Sequence, residues 1–387
     1  MWNLFKSKLI VMGIGQDGLD KGNILSKAKQ YSSLKYALAV IDIAYLLLTL
    51  FLFQGLGLSK LLARTLAKSI TGQYLIILAY TSVAYVGYFL LGFPLNLYRS
   101  FILEHKFCLS NQKIKDWFGD QIKSALISYI ITVILVLVFY YILMTFIHTW
   151  WLIVSFFWIF FSLILAKLTP LIIIPLFFKY KKLSDEELRK RVLSLADKMK
   201  IKILDVFEID FSKKTVKANA AFVGWGASKR VILADTLKDK YSYDEIEVIL
   251  AHEFAHYKLK HLLKLIMLNS SATILLFYII FKSSSPVLGL FKLSSLWDIA
   301  ALPIVLIYFV IFGIIMQPFG NYISRFLETN ADLMALRVTG LKEAFISMME
   351  KLSNQNLSDR KPHPLIKLFF FDHPPVDERI AAARAKV

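Results

Sequence analysis

The sequence holds one cysteine, Cys108, in 387 residues, which excludes an intramolecular disulfide framework and any cysteine-built metal site. Charge is scarce too: 19% of residues are charged, against the roughly one quarter usual in soluble domains, while 57% are hydrophobic and 14% aromatic. Acid is the scarcer sign, 28 Asp and Glu against 46 Lys and Arg, for a formal net charge of +18. No internal repeat or low-complexity tract is visible. The first 35 residues hold lysines and one short apolar run, Leu9 to Met12, and so lack the continuous apolar stretch of about 7–15 residues that a signal peptide needs.

What is present is long apolar runs. Six of them, 36–57, 73–97, 122–147, 150–178, 262–282 and 299–323, are long enough to cross a hydrocarbon core, which takes about 20 helical residues. Helices are the spanning form, because backbone facing lipid must satisfy its own hydrogen bonds. The expected fold is a polytopic α-helical membrane protein of about six transmembrane helices with an inserted small α+β cytosolic catalytic region. Its segments are 1–35, cytosolic; 36–178, four spans; 179–261, the α+β insert; 262–323, two spans; and 324–387, a cytosolic tail.

The positive charge is explained by topology rather than by nucleic acid. With the N-terminus inside, the non-membrane segments on that side carry 40 of the 46 Lys and Arg, while the outer turns hold Lys60, Arg64, Lys68, Lys282 and Lys292. This is the positive-inside asymmetry, and it puts both termini in the cytosol and membrane lipid, not nucleic acid, around the chain. Asp42 and Lys167, costly in lipid, face a bundle interior or water, whereas Glu104 and His105 lie at the cytosolic edge. Cys108 sits in a loop there and reads as a packing residue.

Within the insert, Ser184 and Glu187 have capping-box spacing before a helix to Lys200, and Ile203–Ile209 alternates as a strand. Residues 214–226 and 229–234 form two more short strands around a turn with Gly224, Gly226 and Ser228. From Ser242, Ile246, Ile249, Leu250 and Phe254 share a helical face that runs into the fifth span. Segment 352–364 reads as a loop, and Leu365–Phe371 as an apolar stretch too short to span, lying at the interface.

The helix from Ser242 carries I-L-A-H-E-F-A-H-Y, so His252, Glu253 and His256 stand in the H-E-x-x-H pattern. Residues four apart on a helix share a face, so the two imidazoles can converge on one ion, and Glu253, turned about 100° away, is free to act as a base towards water. Two histidines leave a catalytic zinc site one protein ligand short. Glu328, in S-R-F-L-E-T-N-A-D just past the last span, is the third-ligand candidate, and Asp332 one turn on can hydrogen-bond a ligating imidazole. The set predicts one Zn2+ per chain. Lys258, Lys260 and His261 read as snorkelling interface residues.

These blocks resemble the membrane-embedded zinc proteases of the CaaX prenyl protease type 1 family. The resemblance covers A-N-A-A-F-V-G-W-G-A-S-K-R-V-I-L-A-D-T-L, the H-E-x-x-H helix, S-R-F-L-E-T-N-A-D and H-P-P-V-D-E-R-I, with L-E-H-K-F-C-L-S-N-Q and P-L-I-I-I-P-L-F-F-K earlier. It implies a zinc metalloendopeptidase with Glu253 as catalytic base, Asn219 on the strand edge that pairs with substrate, and His373 and Arg379 lining the site to stabilise the oxyanion or grip substrate. It also implies peptide or protein substrates of the CaaX prenylated type. Two departures stand out: six spans where eukaryotic members have seven around a hydrated chamber, and Cys108 where many relatives have glycine. The first suggests a prokaryotic member in the plasma membrane, with its active site on the cytosolic side. Competing readings are a quality-control protease for membrane proteins and, in a different class, a zinc-binding polytopic transporter, whose histidines belong inside spans.

Overall fold

The computed structural model describes residues 21–224 and 229–386; Leu9–Met12, Gly226 and Ser228 lie outside the described residues. Among the described residues, six helices are long and apolar enough to cross a membrane. The membrane region begins with α1 (Lys21–Gly55), the short α2 (Leu58–Ser69) and α3 (Gln73–Leu97), which continues through a π-type turn at Tyr98–Ile102 and the helical turn Leu103–Lys106. It goes on with α4 (Ile114–Thr145) and α5 (Trp150–Leu168). The outer sides of these helices present bare apolar residues such as Leu90, Ile122 and Phe160, each more than 60% exposed, a surface that only lipid accommodates. Inside, Tyr80, Tyr140, Phe277 and Val154 are fully buried in the core of the bundle.

The insert is an α+β unit: β1 (Tyr180–Lys182), α6 (Glu186–Lys198), β2 (Val206–Ile209), β3 (Ala220–Val223), β4 (Arg230–Ala234) and α7 (Tyr243–Lys258). The sheet order is β1-β2-β4-β3, with β2 and β4 parallel and the outer pairs antiparallel, so β3 is an edge strand. The two strands expected around the Gly224 turn are β3 and β4, shorter than the sequence suggested on the first side. β1 was not legible as a strand, and α6 is capped by Asp185, whose carboxylate accepts from Leu188 N at 3.0 Å, rather than by Ser184.

After the insert come α8 (His261–Leu290), α9 (Leu302–Thr339), α10 (Lys342–Asn356), α11 (Pro364–Phe370) and α12 (Val376–Lys386). Two sequence expectations are corrected here. The helix from Ser242 does not run unbroken into the fifth span: Lys260 at φ 55° separates α7 from α8. The loop expected over 352–364 starts only after Asn356, because Leu352 and Ser353 pack inward and keep α10 helical.

α7 and α9 cross where their sequences are small. Ala251 and Ala255 on one helix, and Ala331 and Ala335 on the other, are all essentially inaccessible and share one core, so the two backbones can approach closely. That crossing brings together residues 72 positions apart.

Candidate active site

The N-terminus of α7 is pinned by a capping box. Ser242 Oγ accepts from Glu245 N at 3.3 Å, and the Glu245 carboxylate accepts from Ser242 N at 2.8 Å. Buried Glu245 also accepts from Ser347 Oγ at 2.6 Å and Lys351 Nζ at 2.7 Å, both on α10. The helix is therefore fixed in rotation, which sets where its two histidines point.

Two imidazole nitrogens and the two oxygens of one carboxylate converge at the α7–α9 crossing. His252 Nε2 and His256 Nε2 are 3.0 Å apart; Glu328 Oε2 lies 3.1 Å from the first, and Glu328 Oε1 3.2 Å from the second. A tetrahedral ion with bonds of about 2.0–2.1 Å spaces neighbouring ligand atoms about 3.3 Å apart, close to the nitrogen–nitrogen and nitrogen–oxygen separations here. Glu328 Oε2 is out of water and has no aligned hydrogen-bond donor. Two imidazole nitrogens and a carboxylate, with His252 and Glu328 buried and His256 partly exposed, match the donor chemistry of a metal centre, and the three residues fit a divalent metal.

Asp332 lies on the other side of the His252 ring. His252 Nδ1 is 2.9 Å from Asp332 Oδ1, a short contact out of line for a full hydrogen bond. Asp332 is gripped by Arg379 through both ends of its fork, Nε to Oδ2 at 2.7 Å and Nη2 to Oδ1 at 2.5 Å. Burial disfavours charging the His252 ring, but Asp332 and Glu328 more than offset this and push its pKa up to about 9. Burial pushes the Glu253 carboxyl up from its ordinary value, nearer to the pH at which a base works best.

Glu253, Asn219, His373 and Arg379 line one cavity of about 250 Å3 together with His252. Asn219 is exposed just before β3, and its carbonyl accepts from Ala234 N at 3.0 Å. His373 is half-exposed, with Nε2 3.3 Å from Glu328 Oε2 and Nδ1 2.8 Å from Asp372 Oδ1. Burial lowers the His373 pKa, but the bond to Asp372 and the nearby Glu328 carry it above its ordinary value. Arg379, expected to grip substrate or oxyanion, spends its fork on Asp332.

Sequence reasoning missed His261. It is 1% exposed rather than snorkelling, and its Nδ1 lies 3.0 Å from His256 Nδ1. The signal was a histidine five residues past the motif, concealed because helical spacing puts it off the ligand face; only the left-handed turn at Lys260 brings it back. The remaining expectations fall away from the site. Asp42 pairs with Arg99 at 2.7 Å, Glu104 binds Lys217 at 2.7 Å, and Cys108 is exposed at φ 59°, not packed.

The family model for peptidase family M48 matches residues 182–387, and that described as CAAX prenyl protease N-terminal, five membrane helices, matches 21–179. The uncharacterized metalloprotease YhfN of Bacillus subtilis is 31% identical, over 94% of this chain and 86% of its own. CAAX prenyl protease 1 of Saccharomyces cerevisiae is 30% identical, over 76% of this chain and 68% of its own. The crystal structure of S. mikatae Ste24p superposes with a TM-score of 0.85 at 26% identity, over 95% of this chain and 90% of that one. With one family model matched from residue 182 to 387, more than half of the chain, and a relative 31% identical over 94% of this chain, this chain belongs to peptidase family M48 as a multi-pass membrane metalloprotease.

Proposed function

We propose that the metal is one Zn2+ per chain, held by His252, His256 and Glu328, and that Glu253 is the general base of peptide-bond hydrolysis. The convergence of two imidazole nitrogens and the Glu328 carboxylate, at separations of 3.0–3.2 Å, carries this reading. When bound, the ion supplies Lewis acidity to the scissile carbonyl and to the attacking water.

The protein's own groups do the rest. Glu253 takes the proton from the water and delivers it to the departing amine, a role its raised pKa favours. His373, on the open side of the cavity, donates from Nε2 to the developing oxyanion. Arg379 acts through Asp332, which holds the His252 ring in orientation. His261 does the same for His256. The substrate binds extended along the outer edge of β3 from Asn219, adding a strand to the sheet.

The relatives named CAAX prenyl protease 1 support CaaX-type prenylated peptides as substrates. The excess of Lys and Arg on the segments that carry the site supports a cytosolic active site, and the match to a Bacillus protein supports a prokaryotic plasma membrane. The test is Glu253→Ala in the purified chain: zinc is retained while cleavage of a quenched peptide disappears. Full cleavage by that variant would remove Glu253 from the chemistry.

A further inference from the structure

The chain reaches β3, the open edge of the sheet, through a segment bolted to the membrane region. Residues 214–216 run antiparallel to 109–111, in the loop before α4. Ser110 and Thr215 form a bridge, Val216 N donates to Leu109 O at 3.2 Å, and Asn111 N donates to Lys214 O at 3.0 Å. From the other side α10 holds the same segment: Gln355 Nε2 donates to Val216 O at 2.6 Å, and Asn356 Oδ1 accepts from Ala218 N at 3.1 Å.

Two lysines of this segment are matched by two acids of the membrane region. Lys214 Nζ lies 2.6 Å from Asp120 Oδ2 on α4. Lys217 Nζ donates to Glu104 Oε2 at 2.7 Å and to Tyr31 Oη at 3.0 Å, and Tyr31 Oη donates to Glu104 Oε1 at 2.5 Å, so the three groups close a ring. Tyr31 belongs to α1 and Glu104 to the helical turn after α3, so the ring joins two membrane helices to the insert. Acids are the scarce sign in this chain, 28 against 46 Lys and Arg, yet two of them meet at this seam. Tyr31 is 2% exposed and the Glu104 side chain 17%, so water screens this pair less than the exposed ion pairs that contribute little. Two residues past Lys217, Asn219 and Ala220 line the catalytic cavity with Glu253.

We propose that Lys217, Glu104 and Tyr31 are positioning residues for peptide hydrolysis, fixing the start of β3 where an extended substrate lies across Glu253. The membrane region then sets the strand that receives substrate, while α7 and α9 carry Glu253 and the residues that would hold the metal. This role rests on the strand-addition reading above. Because Glu253 and those metal-holding residues stand on other elements, breaking the ring weakens substrate binding and leaves the chemical step alone.

The test measures zinc content, KM and kcat on a quenched peptide for the purified full chain, for Lys217→Met and Glu104→Gln, and for the double variant. Each single variant is expected to keep its zinc and to raise KM about five- to tenfold, with kcat within about twofold of wild type. The double variant is expected to be no worse than the singles, since either change opens the ring. Lys217→Arg should restore much of the wild-type KM. Lys181→Met, which breaks a 2.8 Å pair with Glu208 on the far side of the same sheet, should lower the unfolding midpoint and leave KM unchanged. A wild-type KM in Lys217→Met, a loss that falls on kcat or zinc, or losses that add in the double variant would each overturn the proposal. Methylating the substrate's backbone nitrogens tests the underlying reading separately: wild type is expected to bind the methylated peptide more weakly. If it cuts both peptides equally well, strand addition fails and the positioning role fails with it. No cleavage of either peptide by wild type would strike the proteolytic reading itself.

Discussion

His261 Nδ1 stands 3.0 Å from His256 Nδ1, on the side of that ring turned away from Glu328. Only one of the two nitrogens can carry a proton in that contact; with the proposed metal on His256 Nε2, the proton sits on His256 Nδ1, which donates to His261 Nδ1 and so fixes the His256 tautomer. The pair exists because Lys260 takes a left-handed backbone, φ 55°, that returns the chain on itself.

His261→Ala is therefore expected to weaken zinc retention about 10- to 100-fold, read by competition with a chelator. His261→Gln, which keeps an acceptor, recovers part of it. Zinc retention equal to wild type in His261→Ala would make the contact incidental.

The Asp332–Arg379 pair makes a separate prediction. Arg379→Lys keeps the charge but not the two-pronged grip, leaving a buried carboxylate half satisfied. Activity is expected to fall about tenfold or more with little change in KM, and Asp332→Asn to fall similarly. If the two losses add in the double variant instead of merging, the residues act independently.

Glu245 links the catalytic helix to α10, and its value should show as stability rather than chemistry. Burial raises its pKa, but Lys351, Ser347 and the Ser242 backbone outweigh that and hold it below its ordinary 4.5. A carboxyl depressed in the folded state stabilises fully above its unfolded value, and that stability drains away as pH falls below about 4.5 through the folded value. Glu245→Ala is expected to cost about 2 kcal/mol at neutral pH, from a lost cap and lost buried bonds. Thermal unfolding across pH would show the gap between variant and wild type narrowing in acid; a constant gap would contradict the linkage.

Cys108 offers a gain. It follows a helix end at Phe107, where Leu109 N bonds back to Glu104 O at 2.8 Å, the position at which a left-handed residue closes a helix and glycine fits best. Cys108→Gly is expected to stabilise by about 1 kcal/mol in thermal unfolding, with activity unchanged. A lower midpoint would show that the thiol makes contacts that outweigh the strain.

Much of this was legible because it is periodic. The spans announce themselves by length, and α7 by its capping box and the spacing of Ile246, Ile249, Leu250 and Phe254. Glu328 was legible as a third-ligand candidate because Glu328 and Asp332 sit one turn apart beside a span, although α9 runs on to Thr339 well past the apolar run. What escaped depends on partners distant in sequence. The three-residue β1 exists only through its pairing with β2, and nothing in Tyr180–Lys182 signals it. Asp185 outcompetes Ser184 as cap through a one-residue shift of the helix start, and Tyr243 Oη steadies the same carboxylate at 2.8 Å. His261 needed a lysine in a glycine-like conformation, which no local pattern marks.

Metal analysis of the intact chain in detergent, joined to X-ray absorption at the zinc edge, goes directly to the centre of the account. The expectation is one zinc per chain, bound by two imidazoles with oxygen completing the shell, and a marked loss of metal in Glu328→Ala. Substoichiometric zinc in wild type, or a Glu328→Ala variant with the same metal load and the same spectrum, would contradict it.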